Sequence, residues 1–233
     1  MPDSLPLGGP VTPLDPGPTT PDDLGAVAAL LPLMTEVVVE RGATLFAQGD
    51  RHETMYLVRE GALKVTRANR DERPTILAVV GPGEMLGEMA LLDGRERGAT
   101  VTAITRAHLL ELEREVFDRE LERDPAIAVA LLQDLARRLR RSNDTVSDLA
   151  FADVPSRVAR TVRHLASKFG TTTDEGHLRV EHQLTQEELA QLVGSARETV
   201  NKALASLSRR GVIEVRQRTI TVIDQDALER LAG

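Results

Sequence analysis

The stretch that decides the fold of the C-terminal part is TQEELAQLVGSARETVNKALASLSRR, residues 185–210. Thr185 and Glu188 form the pattern of a capping box, in which the hydroxyl and the carboxylate each accept a hydrogen bond from a backbone N–H at a helix start. Ser195 and Glu198 repeat this pattern directly after Gly194, which predicts a turn. The stretch therefore predicts two capped helices, eight and about fourteen residues long, arranged as a helix-turn-helix.

The flanking segments complete a winged domain, which we predict over residues 153–233. A helix is expected from 156 to about 169, and the later β-like runs predict a hairpin behind the helix pair. Residues 155–218 hold 11 Lys and Arg against 7 Asp and Glu, a net charge of +4, although the whole chain carries −7. The β-like runs are 178–180, 213–215 and 219–222. A locally positive winged helix-turn-helix favours double-stranded DNA as a partner.

The start of the second helix carries side chains suited to reading base edges in the major groove. Arg197 can donate a fork to guanine and Glu198 can accept from cytosine. The alternative is a solvated helix face with a local Arg–Glu pair. The residues that we predict to contact DNA are Thr185, Gln186, Ser195, Arg197, Glu198, Thr199 and Lys202.

The N-terminal half changes character after a proline-rich start. Residues 1–21 hold seven of the twelve prolines and predict a disordered or loosely attached arm. A short helix is expected from Pro21 or Asp22 to Leu31, ended by Pro32. Glycines then separate β-like runs, which predicts an antiparallel sandwich or roll over residues 22–123. The runs are 36–40, 55–58, 62–65, 76–80 and 101–104.

A long helix is predicted over residues 124–152, with Asp124 as its cap and Pro125 in its first turn. Its seam residues alternate spacings of four and three, as in a coiled coil. Such a helix projecting from a small roll favours a homodimer over the alternative, an amphipathic helix lying on its own domain. Ser142, followed by Asn143, is the polar member of the seam. The seam comprises Ala128, Leu132, Leu135, Leu139, Ser142, Val146 and Leu149.

A second candidate site lies in GEMALLDGRERGAT, residues 87–100. A glycine before a short helical turn leaves backbone N–H groups free to cradle a phosphate. Arg97 could pair with that phosphate, and Glu88 could accept from a ribose hydroxyl. The alternative is a hairpin connection in which Glu88 and Arg97 neutralise each other. We expect Met85 and Met89 to lie in the core.

Composition excludes several other classes of protein. Without cysteine there are no disulfides, thiolate-bound zinc sites, cysteine-ligated iron-sulfur clusters or cysteine nucleophiles. The five histidines lack a ligand spacing, so no metal is expected, and no pattern of nucleophilic catalysis occurs, so we predict that the protein is not an enzyme. No apolar run in the first third is long enough to span a membrane. The first basic residue is Arg41, which argues against a secretory signal and predicts a cytoplasmic protein.

Three segments in order resemble transcription regulators of the CRP/FNR family, nearest to its cyclic AMP receptor protein branch, over residues 22–223. Residues 87–100 resemble that family's phosphate-binding cassette. Ala136-Arg-Arg-Leu139 with Leu149-Ala-Phe151 resembles its dimerisation helix, and residues 194–200 resemble its recognition helix. The resemblance implies an α+β fold: an N-terminal antiparallel β-roll of the cyclic-nucleotide-binding type, a long dimerisation helix and a C-terminal winged helix-turn-helix.

The resemblance also implies a function. It implies a homodimer, switched by one cyclic nucleotide in each roll, that binds palindromic TGTGA-like sites and works with RNA polymerase. Cyclic AMP is the implied effector, with Glu88 on the ribose 2'-hydroxyl, Arg97 on the cyclic phosphate and Arg138 facing the pocket. Ser142 would meet the adenine of its own chain and Asn143 that of the partner. The implied ligand-binding residues are Gly87, Glu88, Met89, Arg97, Gly98, Arg138, Ser142 and Asn143.

Two departures from the family pattern keep other effectors open. Family members that bind cyclic AMP usually have Ser after the phosphate-binding Arg, where this chain has Gly98. Their Thr-Ser pair for adenine is replaced by Ser142 and Asn143. The alternative is the same DNA-binding dimer with another small-molecule effector, such as 2-oxoglutarate, or with none. A nucleotide-binding module acting on a protein partner and an enzyme are the remaining alternatives.

Overall fold

The computed structural model describes residues 25–68 and 74–233. The arm that we predict over residues 1–21 and the first residues of the short helix lie outside the described residues. A 3-10 helix runs over Gly25–Leu33. It ends at Leu33, two residues later than predicted. Pro32, which we expect to end it, lies inside it.

The N-terminal domain is an antiparallel roll, as the sequence predicts. Two four-stranded sheets face each other, with strand orders β1-β8-β3-β6 and β2-β7-β4-β5 once the strands are numbered along the chain. The strands are β1 Thr35–Val39, β2 Thr44–Phe46, β3 Thr54–Glu60, β4 Leu63–Ala68, β5 Pro74–Val80, β6 Met85–Leu86, β7 Thr100–Ala103 and β8 Ala107–Glu113. All five predicted runs are strands; β2, β6 and β8 had no specific prediction.

Strand β3 shows how the roll is stabilised. Met55, Tyr56, Leu57 and Val58 are all buried, so both faces of this strand are covered. Tyr56 and Val58 belong to the core between the sheets, whereas Met55 and Leu57 belong to a second cluster shared with the helices. A strand that is covered on both faces has a continuous run of apolar residues instead of alternating apolar and polar residues.

The helices of the N-terminal part are α1 Glu88–Asp93, α2 Arg114–Arg123 and α3 Pro125–Phe151. Helix α3 begins as predicted, because the Asp124 side chain accepts a hydrogen bond from the N–H of Ala126 at 3.0 Å. Its first turns bury Ile127 and Leu131 against the roll. Leu132, Leu139, Val146 and Leu149 in the predicted seam are exposed within the single chain. Most of α3 therefore offers an uncovered apolar stripe.

The C-terminal domain is a winged helix-turn-helix, as predicted. Its sheet has the order β11-β12-β10-β9, and β11 pairs with β12 as the predicted hairpin. Helix α7 and strand β9 had not been predicted. The elements are α4 Val154–Phe169, β9 Gly170–Thr172, β10 Leu178–Glu181, α5 Gln186–Val193, α6 Arg197–Arg209, β11 Ile213–Arg216, β12 Thr219–Val222 and α7 Gln225–Ala232.

Candidate functional site

The candidate ligand site begins at Gly87, between β6 and α1. Gly87 adopts a left-handed conformation with φ of 81°. A Cβ at this position would lie 2.2 Å from Nη1 of Arg97, so a larger residue would displace the guanidinium. The sequence therefore needs glycine here to bring the cassette backbone against Arg97.

Arg97 is buried inside the roll, with only 2% of its surface exposed. Its Nη1 donates to the carbonyl of Gly87 at 2.8 Å, and its Nη2 donates to the carbonyl of Thr54 at 2.7 Å and to the Thr54 hydroxyl at 3.0 Å. The guanidinium also lies 4.3 Å from the centre of the Phe46 ring. Burial lowers the pKa of Arg97, and nearby acidic groups oppose that effect.

Arg97 keeps one unused donor. Among the described residues its Nε is buried without a hydrogen-bond partner. Buried polar groups without a partner are uncommon and call for an explanation, such as a role in binding a ligand.

Glu88 is also buried, and its partner comes from the long helix. Nη1 of Arg138 donates to Oε1 of Glu88 at 2.9 Å, and Nη2 donates to the carbonyl of Met85 at 2.8 Å. Asp134, one turn earlier on α3, holds Nε of Arg138 at 2.7 Å. Burial raises the pKa of Glu88, and Arg138 opposes part of that rise. Glu88 and Arg97 do not pair with each other, so the alternative of a self-neutralised hairpin is wrong.

A cavity of about 910 Å³ opens beside Arg97 and is lined by Gly98 and Ala90 among others. This volume lies in the range of small-molecule sites. Gly98 is exposed at its wall, and a Cβ added there would meet no heavy atom within 4 Å. The cavity therefore has room for a larger side chain at position 98.

Three of the implied ligand residues lie apart from this cluster. Ser142 and Asn143 are exposed on α3, beyond Arg138, and neither lines the cavity. Met89 is 67% exposed, so the expectation that it lies in the core is wrong. Helix α1 buries its neighbours Ala90 and Leu91 instead, which turns Met89 outward. Met85 is buried, as expected.

The candidate DNA-binding surface is built on a confirmed capping box. The Thr185 hydroxyl accepts from the N–H of Glu188 at 3.2 Å, and Oε2 of Glu188 accepts from the N–H of Thr185 at 2.8 Å. Gly194 ends α5 in a left-handed conformation with φ of 71°. The side chains of Arg197, Glu198, Thr199 and Lys202 on α6 are exposed, while Val200 and Leu204 are buried beneath them.

The second capping box is wrong. The residue that caps α6 is Ala196, and no side chain caps this helix. Ser195 instead donates its N–H to the carbonyl of Ala190 at 3.1 Å, which closes the end of α5. The N–H of Ser195 is therefore not available to the Glu198 carboxylate, which a capping box at this position would require.

Arg157 holds the helix pair in place and was not singled out from the sequence. Its guanidinium donates to the carbonyls of Val193 at 3.2 Å and Gly194 at 3.3 Å, at the end of α5. It also donates at 2.9 Å to the carbonyl of Ala152, the residue that ends α3. A buried helix end needs such donors for its last carbonyls.

The wing adds basic groups that the sequence reasoning also missed. A cavity of about 890 Å³ lies between α5, α6 and the β11–β12 turn and is lined by Arg179, Arg197, Gln217 and Arg218. Gln217 at the wing tip adopts a left-handed conformation with φ of 52°. Gln186, at the start of α5, lines the same cavity. For Arg179 and Arg218 the only sequence signal was the local positive charge, whereas Arg197 and Gln186 were predicted from their positions on the helix pair.

Two kinds of feature, a membrane-spanning helix and a metal-binding cluster, were sought in the described residues and not found there. No helix there is both long and apolar enough to cross a bilayer. No group of three or more His, Asp or Glu residues is arranged to hold a metal ion in residues 25–68 and 74–233.

A ligand-binding roll joined by a long helix to a winged helix-turn-helix defines a class of regulated DNA-binding proteins. Comparisons with known proteins agree with that class. Residues 36–124 match the cyclic nucleotide-binding domain, and residues 156–231 match the Crp-like helix-turn-helix domain.

The chain is 42% identical over 207 residues to the CRP-like cAMP-activated global transcriptional regulator of Mycobacterium tuberculosis, which covers 89% of this chain and 92% of the relative. A CRP-family transcriptional regulator from Thermus thermophilus has a similar structure, with a TM-score of 0.71, 30% identity and coverage of 84% of this chain and 96% of its own. The c-di-GMP responsive global regulator CLP of Xanthomonas campestris also gives a TM-score of 0.71, with 27% identity and coverage of 85% and 98%. The chain belongs to the CRP family of DNA-binding transcription regulators, and it is not an enzyme.

Proposed function

We propose that the protein is a cytoplasmic homodimeric transcription regulator that binds palindromic TGTGA-like DNA sites when cyclic AMP occupies each roll, and that it works with RNA polymerase. The observation that carries the proposal is the buried side chain of Arg97, which lines the cavity of the roll, together with the buried Glu88 nine positions earlier in the same cassette. A buried guanidinium with an unused donor suits a singly charged cyclic phosphate.

The proposed ligand contacts follow from the positions of these side chains. Arg97 would bind the cyclic phosphate, Gly87 would offer backbone contacts, and Glu88 would accept from the ribose 2'-hydroxyl. Arg138 links this site to the long helix, because it pairs with Glu88. Ser142 of the same chain and Asn143 of the partner would meet the adenine; dimerisation would therefore complete the site.

The dimer would place two recognition helices about 34 Å apart, one turn of duplex. Arg197, Glu198 and Lys202 would read bases, whereas Thr185, Gln186, Ser195 and Thr199 would position the domain on phosphates. Ligand binding can raise DNA affinity only if the ligand binds the DNA-competent arrangement more tightly.

A change of effector is the second candidate, because Gly98 lacks the hydroxyl of cyclic AMP-binding relatives. A c-di-GMP responsive regulator has the same fold. Cyclic dinucleotides therefore belong among the effectors to be tested. Titration with cyclic AMP, cyclic GMP, cyclic di-GMP and 2-oxoglutarate, with and without duplex DNA, separates these effectors.

The test of the ligand site is Arg97→Ala. We expect loss of cyclic AMP binding in calorimetry and loss of the effect of cyclic AMP on DNA binding, because the buried cation for the phosphate is gone. Arg97→Lys keeps the positive charge but lacks the two parallel N–H donors of the guanidinium. This variant should therefore recover only part of the cyclic AMP affinity. Arg119→Ala, on the exposed face of α2, is the control. Equal cyclic AMP affinity in Arg97→Ala and the parent would refute the assignment.

A further inference from the structure

The winged domain is fastened to the roll by two ion pairs, which we call the interdomain clasp: Lys168–Glu84 and Lys64–Glu188. Nζ of Lys168, near the end of α4, lies 2.6 Å from Oε2 of Glu84 and donates to the carbonyl of Val79 at 3.0 Å. Nζ of Lys64, on β4, lies 2.5 Å from Oε1 of Glu188. Glu188 thus serves both the capping box of α5 and the roll.

An apolar contact accompanies the two pairs. The ring of Phe169 packs against Gly81, where an added Cβ would lie only 2.5 Å from the ring. Ala62, Val79 and Ile104 of the roll belong to the same buried cluster as the core of the winged domain. The clasp is therefore part of a continuous packed interface.

The clasp side chains are largely withdrawn from water, with exposed fractions between 14% and 27%. Exposed ion pairs contribute little to stability. When one partner of a desolvated ion pair is removed, however, the remaining charge loses that attraction while it stays partly buried, which is costly. Loss of Lys168 or Glu84 should therefore open the interface, whereas loss of an exposed pair should not.

The clasp shares a short segment with the ligand site. In residues 81–88, Glu84 accepts from the N–H of Gly81 at 2.8 Å and holds Lys168 of α4. The next residue, Met85, accepts from Arg138 of α3 through its carbonyl, and Glu88 pairs with the same arginine. Both helices are thus fastened to this one segment, and they join each other at Asp153.

We propose that the interdomain clasp fixes the orientation of the recognition helix relative to the roll, with Lys168 and Glu84 as positioning residues for DNA binding. The inference rests on the proposed function for its ligand. A ligand that takes Glu88 from Arg138 releases one fastening of α3, whereas the clasp keeps α4 on the same segment. The angle between α3 and α4 then differs between the ligand-free and the ligand-bound protein.

The first test measures orientation in the ligand-free protein. Because the chain has no cysteine, Arg41→Cys in the roll and Glu214→Cys in the wing give two unique spin labels. Diluting labelled chains with excess unlabelled chains isolates the distance within one chain. We expect one narrow distance distribution in the parent and a broader one in Lys168→Met and Glu84→Gln. Gln keeps an acceptor for the N–H of Gly81, so that variant removes the charge alone.

The control is Arg106→Gln, which breaks an exposed ion pair with Glu40 at 3.2 Å in the roll. It should leave the distribution narrow. A parent-like distribution in both Lys168→Met and Glu84→Gln overturns the proposal.

The second test measures the affinity of the same variants for a duplex with two half-sites, with and without cyclic AMP. We expect the gain in DNA affinity on adding cyclic AMP to fall by about fivefold or more in Lys168→Met, while calorimetry gives a cyclic AMP affinity like the parent's. A broad distance distribution with a parent-like gain overturns the proposal.

If cyclic AMP has no effect on the parent, the proposed effector is wrong. The clasp then still predicts that the variants bind DNA more weakly than the parent without ligand. Equal DNA affinity of the variants and the parent overturns the proposal.

Discussion

Gly98 leaves a gap beside the buried guanidinium of Arg97. Its backbone lies outside the left-handed region, and an added Cβ would touch nothing within 4 Å. We expect Gly98→Ser to raise cyclic AMP affinity by about tenfold, because a hydrogen bond to a charged group is worth about 1.5 kcal/mol or more. Calorimetry measures the change.

Gly98→Ala is the matched control, since it adds the Cβ without the hydroxyl. The same gain in both variants would mean that the hydroxyl plays no part. No gain in Gly98→Ser would favour another effector.

His182 makes stability depend on pH. Burial, together with the charge of Arg218, lowers the pKa of His182 to about 4 from 6.5. Between these two values the unfolded chain binds a proton that the folded chain does not, so the folded state loses stability as the pH falls. The effect of this one residue amounts to about 3 kcal/mol at most by pH 4.

The test compares urea unfolding of His182→Asn and the parent near pH 7 and near pH 4.5. The asparagine oxygen can replace Nδ1, which accepts from the N–H of Leu184 at 3.1 Å. We expect the free energy of unfolding to fall less in the variant. An equal fall would show that His182 does not set this dependence.

At the residue scale, the sequence predicts which side chains belong to the candidate site better than it predicts which residues they contact. Glu88 and Arg97 follow from a local motif, and the structure places both in buried positions. Their contacts with Arg138 and Thr54 join residues 50 and 43 positions apart. No local pattern contains such pairs.

At the scale of elements, the recognition helix offers a direct test. Arg197 is the first residue of α6, is exposed and lines the same cavity as Arg218 of the wing. We expect Arg197→Ala to weaken binding to a specific duplex by about 1 to 3 kcal/mol and to relax the preference at one base pair. Arg209→Ala, at the other end of the helix, is the control. Unchanged selectivity in gel-shift competition would contradict the prediction.

Elements whose signals are local were predicted, and those that depend on packing were missed. The capping box and the Asp124 cap lie within four residues of the groups they bind, so the sequence contains the whole signal. Strand β8 pairs with both β1 and β3 and shows no clear alternation. The second capping box failed because the backbone of Ser195 bonds to α5, which the S-x-x-E pattern cannot report.

At the scale of the whole molecule, the uncovered stripe on α3 predicts assembly. Leu139 is 63% exposed within the chain, so we expect its replacement to leave the fold of one copy intact. We expect Leu139→Asp to give a monomer in sedimentation and to lose affinity for the two-half-site duplex, because a charge in a coiled-coil seam is costly. Arg140→Asp, at an exposed neighbouring position, is the control. A dimer in Leu139→Asp would place the interface elsewhere.

The division into roll, long helix and winged domain was predicted, whereas their contacts were not. Changes in periodicity along the chain mark the three parts. The clasp joins Lys64 to Glu188, 124 positions away, and each is an ordinary charged residue in its own segment. Only the folded chain brings them together.

The chain has one tyrosine and no tryptophan, and that tyrosine lies inside the roll. The Tyr56 hydroxyl donates to Glu111 at 2.9 Å, and its ring lies 6.1 Å from that of Phe46, the ring beneath Arg97. All tyrosine fluorescence of the unmodified protein therefore comes from a single ring within two contacts of the guanidinium. The molecule carries a built-in optical reporter, and we expect its emission to change when a ligand binds beside Arg97, without any added dye.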